Sequence, residues 1–225
     1  MAEGLVFEGP ATADHAYVTL VTNADYALGA RALLRSIALA GSAADRVVLH
    51  TAGVPEAALS PLRALGARLV ATGLLPTSAA FNARHARGAL HAAAPFDKGG
   101  KPPFHTPLDN FVKLRLWQLE EYRRVVFIDA DALVLRSCDR LFAYPEFCAA
   151  PNVYAGLAHF HRLNSGVFVA RPDPRTFAAM LVALDRPDWV ALWAAQDPDP
   201  TEDEVIRNLP VRRPLLWRPA STPIP

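Results

Sequence analysis

Val125-Val126-Phe127-Ile128 is an unbroken apolar run, and it leads straight into a pair of carboxylates, Asp129 and Asp131. A strand with one wet face alternates apolar and polar residues. A strand that is apolar at every position is buried on both faces and needs helices above and below it. The run therefore reads as an inner strand of a sheet in an α/β fold. It also fixes where polar chemistry can begin, at the carboxyl end of that strand, the end beyond which ligands bind in open α/β sheets.

The chain before it has the matching rhythm. Residues 17–22 read as a buried strand. Asp25 is placed to cap a helix carrying Leu33, Leu34, Ile37 and Leu39. Residues 46–51 give a second strand, residues 55–65 a short helix opened by Pro55 and closed by Gly66, and residues 68–72 a third strand. Strand and helix in alternation argue for parallel pairing. Residues 73–107, with many prolines and two adjacent glycines, predict a long loop holding one short helix near residues 79–93. Apolar positions from Leu108 to Leu119 predict an amphipathic helix before the inner strand. Residues 163–170 predict a further strand, and residues 172–184 a helix with Phe177, Met180, Leu181 and Leu184 on one face. Thr201 to Glu204 fits a capping box for a helix to Asn208, followed by a proline-rich irregular tail. No repeat or linker divides the chain, so residues 1–225 read as one domain.

Composition removes some function classes. With 23 basic and 22 acidic residues, no excess charge favours nucleic acid. No apolar run reaches the roughly 18 residues of a membrane span, and Met1 to Gly4 does not resemble the start of a signal peptide. Cys138 and Cys148 read as reduced thiols, and the expectation is a cytoplasmic protein without a membrane span.

Asp129-Ala130-Asp131 carries the strongest chemical signal. Two carboxylates one small residue apart repel each other unless a cation or partner neutralises them. Hard divalent cations take oxygen ligands and share them with phosphate, and Ala130 leaves room for such a ligand to approach. The same motif after a buried strand also occurs in haloacid-dehalogenase-type phosphatases, where the first Asp is the nucleophile. There it lies near the chain start and is followed by Thr or Val, whereas here it lies past the middle and Leu133 stands at that place.

Four blocks in order resemble glycosyltransferase family 8, the glycogenin-like and galactinol-synthase-like enzymes of the GT-A fold. They are Tyr17 to Gly29, Lys113 to Leu119 with Tyr122 beyond, Val126 to Leu135, and Asn164 to Val169 followed by Arg171-Pro172. The resemblance implies a retaining, metal-dependent transferase that moves a hexosyl group from a UDP-sugar to an unidentified acceptor hydroxyl. It places Leu20, Thr22, Asn23 and Tyr26 at the nucleoside and Lys113 at the diphosphate. Asp129 and Asp131, with Ala130 between them, fall on the cation, Mn²⁺ or Mg²⁺. Asn164, Ser165 and Gly166 fall on the donor sugar. Asp203 matches an aspartate near the reaction centre.

The sequence also departs from the family. An Asp-Gln pair is usual after the Asn-Ser-Gly strand, but here Glu204 follows Asp203. The late His-x-x-Gly-x-x-Lys-Pro motif, whose His completes the metal site, has no match. Either the C-terminal part is missing, or His159 or His161 supplies that ligand. A nucleotide-sugar-binding protein with impaired turnover is the alternative these departures suggest. His85, His91 and His105 fit no standard zinc spacing, and Trp189, Trp193 and Trp217 are either core or sugar-stacking residues.

Overall fold

The computed structural model describes residues 4–84, 107–145, 147–151 and 163–184. Among these residues, seven strands run in chain order as β1 Val6–Phe7, β2 His15–Val21, β3 Asp45–His50, β4 Ala67–Ala71, β5 Arg124–Ile128, β6 Cys148–Pro151 and β7 Leu163–Ala170. They form one sheet in the order β1-β4-β3-β2-β5-β7-β6. The four central strands β4, β3, β2 and β5 are parallel. β1 is antiparallel on one edge, and β7 and β6 are antiparallel on the other. The sequence reading finds the central strands and β7. It misses β1, which is only two residues long, and β6, whose Cys-Ala-Ala-Pro has weak strand propensity.

Helices cover both faces. Successive strand residues point to opposite sides. Val18, Leu49, Val125, Phe127 and Phe168 point to one side, where they meet the segment around Phe111–Trp117 and the helix α5 (Pro174–Leu184). Tyr17, Val48, Leu69, Val126 and Ile128 point to the other side, under α1 (Ala24–Leu39) and α2 (Glu56–Ala64). β5 is buried on both, as its composition requires. Asn23, not Asp25, caps α1. Its side-chain oxygen accepts from the Asp25 and Tyr26 amides at 3.0 Å, and Asp25 sits in the first turn, where its charge suits the helix dipole. Gly66 ends α2 with φ +77°, a conformation that glycine adopts without strain.

The largest departure lies before β5. In place of an amphipathic α-helix over residues 108–119, there is one α-turn, α4 (Pro107–Asn110), and then a 3₁₀ helix, Phe111–Gln118. Every residue from Phe111 to Trp117 is buried, including Lys113 and Arg115. A 3₁₀ helix stacks residues i and i+3 directly. Asn110 and Lys113 thus share one face, and Leu114 and Trp117 a second. Arg115 and Gln118 share the third, where the guanidinium donates to Gln118 Oε1 at 2.9 Å and to the carbonyls of Gly73 and Leu74. Each face has its own partner, which one apolar stripe would not allow.

Of the short helix expected in the long loop, α3 spans Ala79–Arg84. The rest of that expected helix lies outside the described residues, as do the capping box at Thr201, Asp203, Glu204, the proline-rich tail and the later tryptophans. No helix among the described residues is long and apolar enough to cross a membrane.

Trp117 joins the two layers. Its ring stacks on Phe168 at 5.8 Å, and Phe168 stacks in turn on Phe127 at 5.0 Å. Trp117→Ala should cost about 3–5 kcal/mol. Urea unfolding would check this, and a loss below about 1 kcal/mol would show that the 3₁₀ segment is not part of the core.

Candidate nucleotide-sugar and metal site

A cleft opens at the carboxyl ends of β2 and β5. It is lined by Leu20, Thr22, Tyr26, Asn110, Lys113, Asp129, Ala130 and Asp131. Seven of these eight are residues that the sequence singled out. Asn110 is the one it missed. The available signal was its spacing of three from Lys113, which is informative only once the segment is known to be 3₁₀ and not α-helical.

Each side chain reaches the cleft for a local reason. β2 is buried to its end at Val21, and the buried Thr22 follows it. The Thr22 carbonyl is boxed in by the following turn: it accepts from Thr51 Oγ1 at 3.3 Å, and a Cβ on Gly53 would come within 2.9 Å of it. The Thr22 hydroxyl is buried and has no hydrogen-bond partner among the described residues. A buried hydroxyl left unpaired costs about 1–3 kcal/mol, so a polar ligand in the cleft would relieve it. Tyr26 lines the cleft from the first turn of α1. Asn23 does not line it. Its side-chain oxygen is used in capping α1, which holds Tyr26 in place.

Asp129 is held from both sides. Its amide donates to the Gly166 carbonyl at 2.8 Å, and its Oδ1 lies 3.4 Å from Lys113 Nζ. The Lys113 side chain is 5% exposed and that of Asp129 41% exposed, so the carboxylate faces the cleft while the ammonium lies behind it. Lys113 Nζ also lies 3.3 Å from Ser165 Oγ and 5.1 Å from the centre of the Phe127 ring. This ring face and the neighbouring carboxylate offset part of the cost of burying the ammonium. Asp131 is exposed at the lip. Asn164 folds its amide oxygen back onto the Gly166 amide at 2.7 Å.

Two carboxylates with open space before them fit a divalent cation that takes its remaining oxygens from a ligand's phosphates and from water. Among the described residues, no third His, Cys, Asp or Glu joins them. His159, His161 and Asp203 lie outside the described residues, as do His85, His91 and His105.

Two glycines set the close contacts. A Cβ on Gly29 would lie 2.5 Å from the Ala130 carbonyl oxygen, so a bare backbone there lets α1 press against the carboxylate turn. A Cβ on Gly166 would meet Asn164 Oδ1 at 2.7 Å and Asp129 Oδ2 at 3.1 Å, which are side-chain atoms able to move.

Comparisons with known proteins bear on the family and the fold. The family model described as glycosyl transferase family 8 matches residues 17–150. UDP-glucuronate:xylan alpha-glucuronosyltransferase 2 of Arabidopsis thaliana is 31% identical over 170 residues, covering 74% of this chain and 24% of that protein. Inositol phosphorylceramide glucuronosyltransferase 1 of the same plant is 30% identical over 166 residues, 74% of this chain and 26% of that protein. Human glycogenin-1 is 32% identical over 168 residues, 75% of this chain and 42% of that protein. The chain thus spans less than half of each of these relatives. Among solved structures, the galactosyltransferase LgtC with donor and acceptor sugar analogues aligns with a TM-score of 0.57 at 17% identity, over 86% of this chain and 69% of that one. Mouse xyloside xylosyltransferase 1 aligns with a TM-score of 0.52 at 14% identity, over 86% and 80%. These likenesses identify the fold as GT-A. The family match sets the chain with the glycosyltransferases and not with the haloacid-dehalogenase-type phosphatases.

The two glycines should respond differently to an added methyl group. Gly29→Ala drives a methyl into backbone and should destabilise the protein by about 1–3 kcal/mol. Gly166→Ala should leave stability within about 0.5 kcal/mol but displace Asp129 and weaken cation-dependent UDP binding. Denaturant unfolding and calorimetry on both variants check this. Equal loss of stability in the two would contradict the assignment.

Proposed function

Because the chain belongs to glycosyltransferase family 8, we propose that it transfers a hexosyl group from a UDP-sugar to an acceptor hydroxyl, with retention of anomeric configuration and with a divalent cation, Mn²⁺ or Mg²⁺. The observation that carries the proposal is the meeting, in one cleft, of the Asp129–Asp131 pair, the buried Lys113 ammonium and the unpaired Thr22 hydroxyl. The names of relatives that use UDP-glucuronate support a uridine donor.

In this reading Leu20 and Thr22 receive the nucleoside and Tyr26 stacks on the base, an interaction worth about 1–3 kcal/mol where bases stack on aromatic rings. Asp129 and Asp131 hold the cation, which supplies Lewis-acid stabilisation of the leaving diphosphate. Lys113 adds a second positive charge that is already in place. Its ammonium is fixed by Ser165, Asp129 and the Phe127 ring, so it need not reorganise as charge grows on the leaving phosphate. Ser165 and Asn164 face the donor sugar, and Gly166 keeps that wall low. Asp203 is assigned the stabilisation of positive charge developing on the sugar.

Uridine diphosphate with Mn²⁺ should raise the melting temperature by mass action on the folded state, and adenosine and guanosine diphosphates should raise it less. Asp129→Asn combined with Asp131→Asn should abolish the cation-dependent part while the protein stays folded. Equal stabilisation by all three nucleotides would overturn the uracil assignment. Unchanged metal dependence in the double variant, read by calorimetry, would overturn the metal site. UDP release from a panel of UDP-sugars then separates a working transferase from a protein that binds the donor and turns it over slowly.

A further inference from the structure

The outer surface beside the cleft has a composition that the transfer reaction does not use. On α1, Leu33, Leu34 and Ile37 face the core, and Leu28, Arg31, Arg35 and Leu39 project from the opposite side. The chain that leaves the Asp-x-Asp turn runs along one flank of this helix. It is fixed at two points: the Ala130 carbonyl lies against Gly29, and the Val134 amide donates to Ser36 Oγ at 2.9 Å. Val134 is buried against α1, and its neighbours Leu133 and Leu135 are exposed on the Gly29–Ser36 flank of that helix, with Arg136 and Arg140 exposed after them. Leu28, Leu39, Leu133 and Leu135 are 65, 72, 60 and 88% exposed.

The charges on this surface are one-sided. Arg31, Arg35, Arg136 and Arg140 are all exposed, and none forms a salt bridge among the described residues. α1 carries no acid after Asp25, and between Ala132 and Tyr144 the only acid is Asp139. Asp139 is partly buried and accepts a hydrogen bond from the Tyr17 hydroxyl at 2.7 Å. Asp25, in the first turn of α1, and Asp131, whose backbone lies against Gly29, are exposed at the cleft end of the same helix.

We propose that this face, formed by the outer side of α1 and residues 133–140, docks the protein on an anionic lipid bilayer. The pairing of residue types selects that partner. A soluble polyanion would match the guanidinium groups but leave the four leucines in water. An apolar protein patch would match the leucines but strip water from four cations that form no salt bridge among the described residues, which is costly. The interface of an anionic membrane takes both, since guanidinium groups pair with lipid phosphates while leucines enter the boundary of the acyl region. Because Leu133 is two residues from Asp131, docking holds the cleft's lip close to the bilayer.

The test is sedimentation of the full chain with phosphatidylcholine vesicles, with and without about 30% phosphatidylglycerol. The wild type should partition at least ~tenfold more strongly to the anionic vesicles, and this preference should fall as salt is raised from about 0.1 to 0.5 M. Changing Arg31, Arg35, Arg136 and Arg140 together to Gln should remove the preference. Leu133→Ser with Leu135→Ser should weaken partition by at least ~threefold even at low salt, because the acyl contact does not depend on charge. Both variants should keep the wild-type melting temperature and its rise with UDP and Mn²⁺, which separates this proposal from the donor site. Absence of partition by the wild type would overturn it. So would wild-type binding by the leucine variant, which would mark the face as a polyanion site, or by the arginine variant.

Discussion

A strand that is apolar on both faces has no place for a carboxylate until it leaves the sheet. β5 is such a strand, and the rest of the molecule is arranged around it. β2 pairs with it on one side and β7 on the other, with α1 above and the 3₁₀ segment below. Burial fixes the register of β5, because a slip of one residue would exchange the faces of Phe127 and Ile128 and draw Asp129 into the core. The positions of Asp129 and Asp131 are therefore set by hydrophobic packing several residues away.

Two negative charges fixed in this way need a positive one nearby, and the fold brings it from below. Lys113 is 4% exposed, and an ammonium buried that far is costly unless charged or polar groups surround it. Asp129, Ser165 and the Phe127 ring surround it. Among the described residues that line the cleft, Lys113 is the one cation beside the two aspartates, a balance that suits a divalent cation. The 3₁₀ winding is part of this arrangement, since it turns Lys113 and Asn110 to the cleft while Arg115, two residues on, is directed to the carbonyls of Gly73 and Leu74.

Much of this was legible in the sequence, because the features concerned are short-range and strongly patterned. The apolar run of β5, the alternation of β2 to β4 with α1 and α2, and the helix after β7 each announce themselves within a window of ten to fifteen residues. The features that were missed depend on partners distant in the chain. Phe111 to Gln118 looks like an α-helix by periodicity, and only burial on every side shows why it winds more tightly. Asn23 and Asp25 are both good capping residues, and backbone geometry chose the first. The Gly29 contact has no local signature, since a glycine in a helix ordinarily only weakens it. Its purpose becomes visible when Ala130 is found against it.

The direction of β7 completes the site. β7 is antiparallel to β5, with Ile128 opposite Val167. Where β5 ends, β7 is therefore beginning, and the residues just before Val167 run alongside Asp129. Gly166 thus accepts from the Asp129 amide, and Ser165 meets Lys113. Had β7 been parallel, like the four central strands, Asn164-Ser165-Gly166 would have emerged at the far end of the sheet, some 15 Å or more away by strand rise. A parallel sheet gathers the ends of its strands into one ligand-binding edge, and a single reversed strand adds a beginning to that edge. In this fold the reversed strand allows a motif that opens a strand to face one that closes a strand.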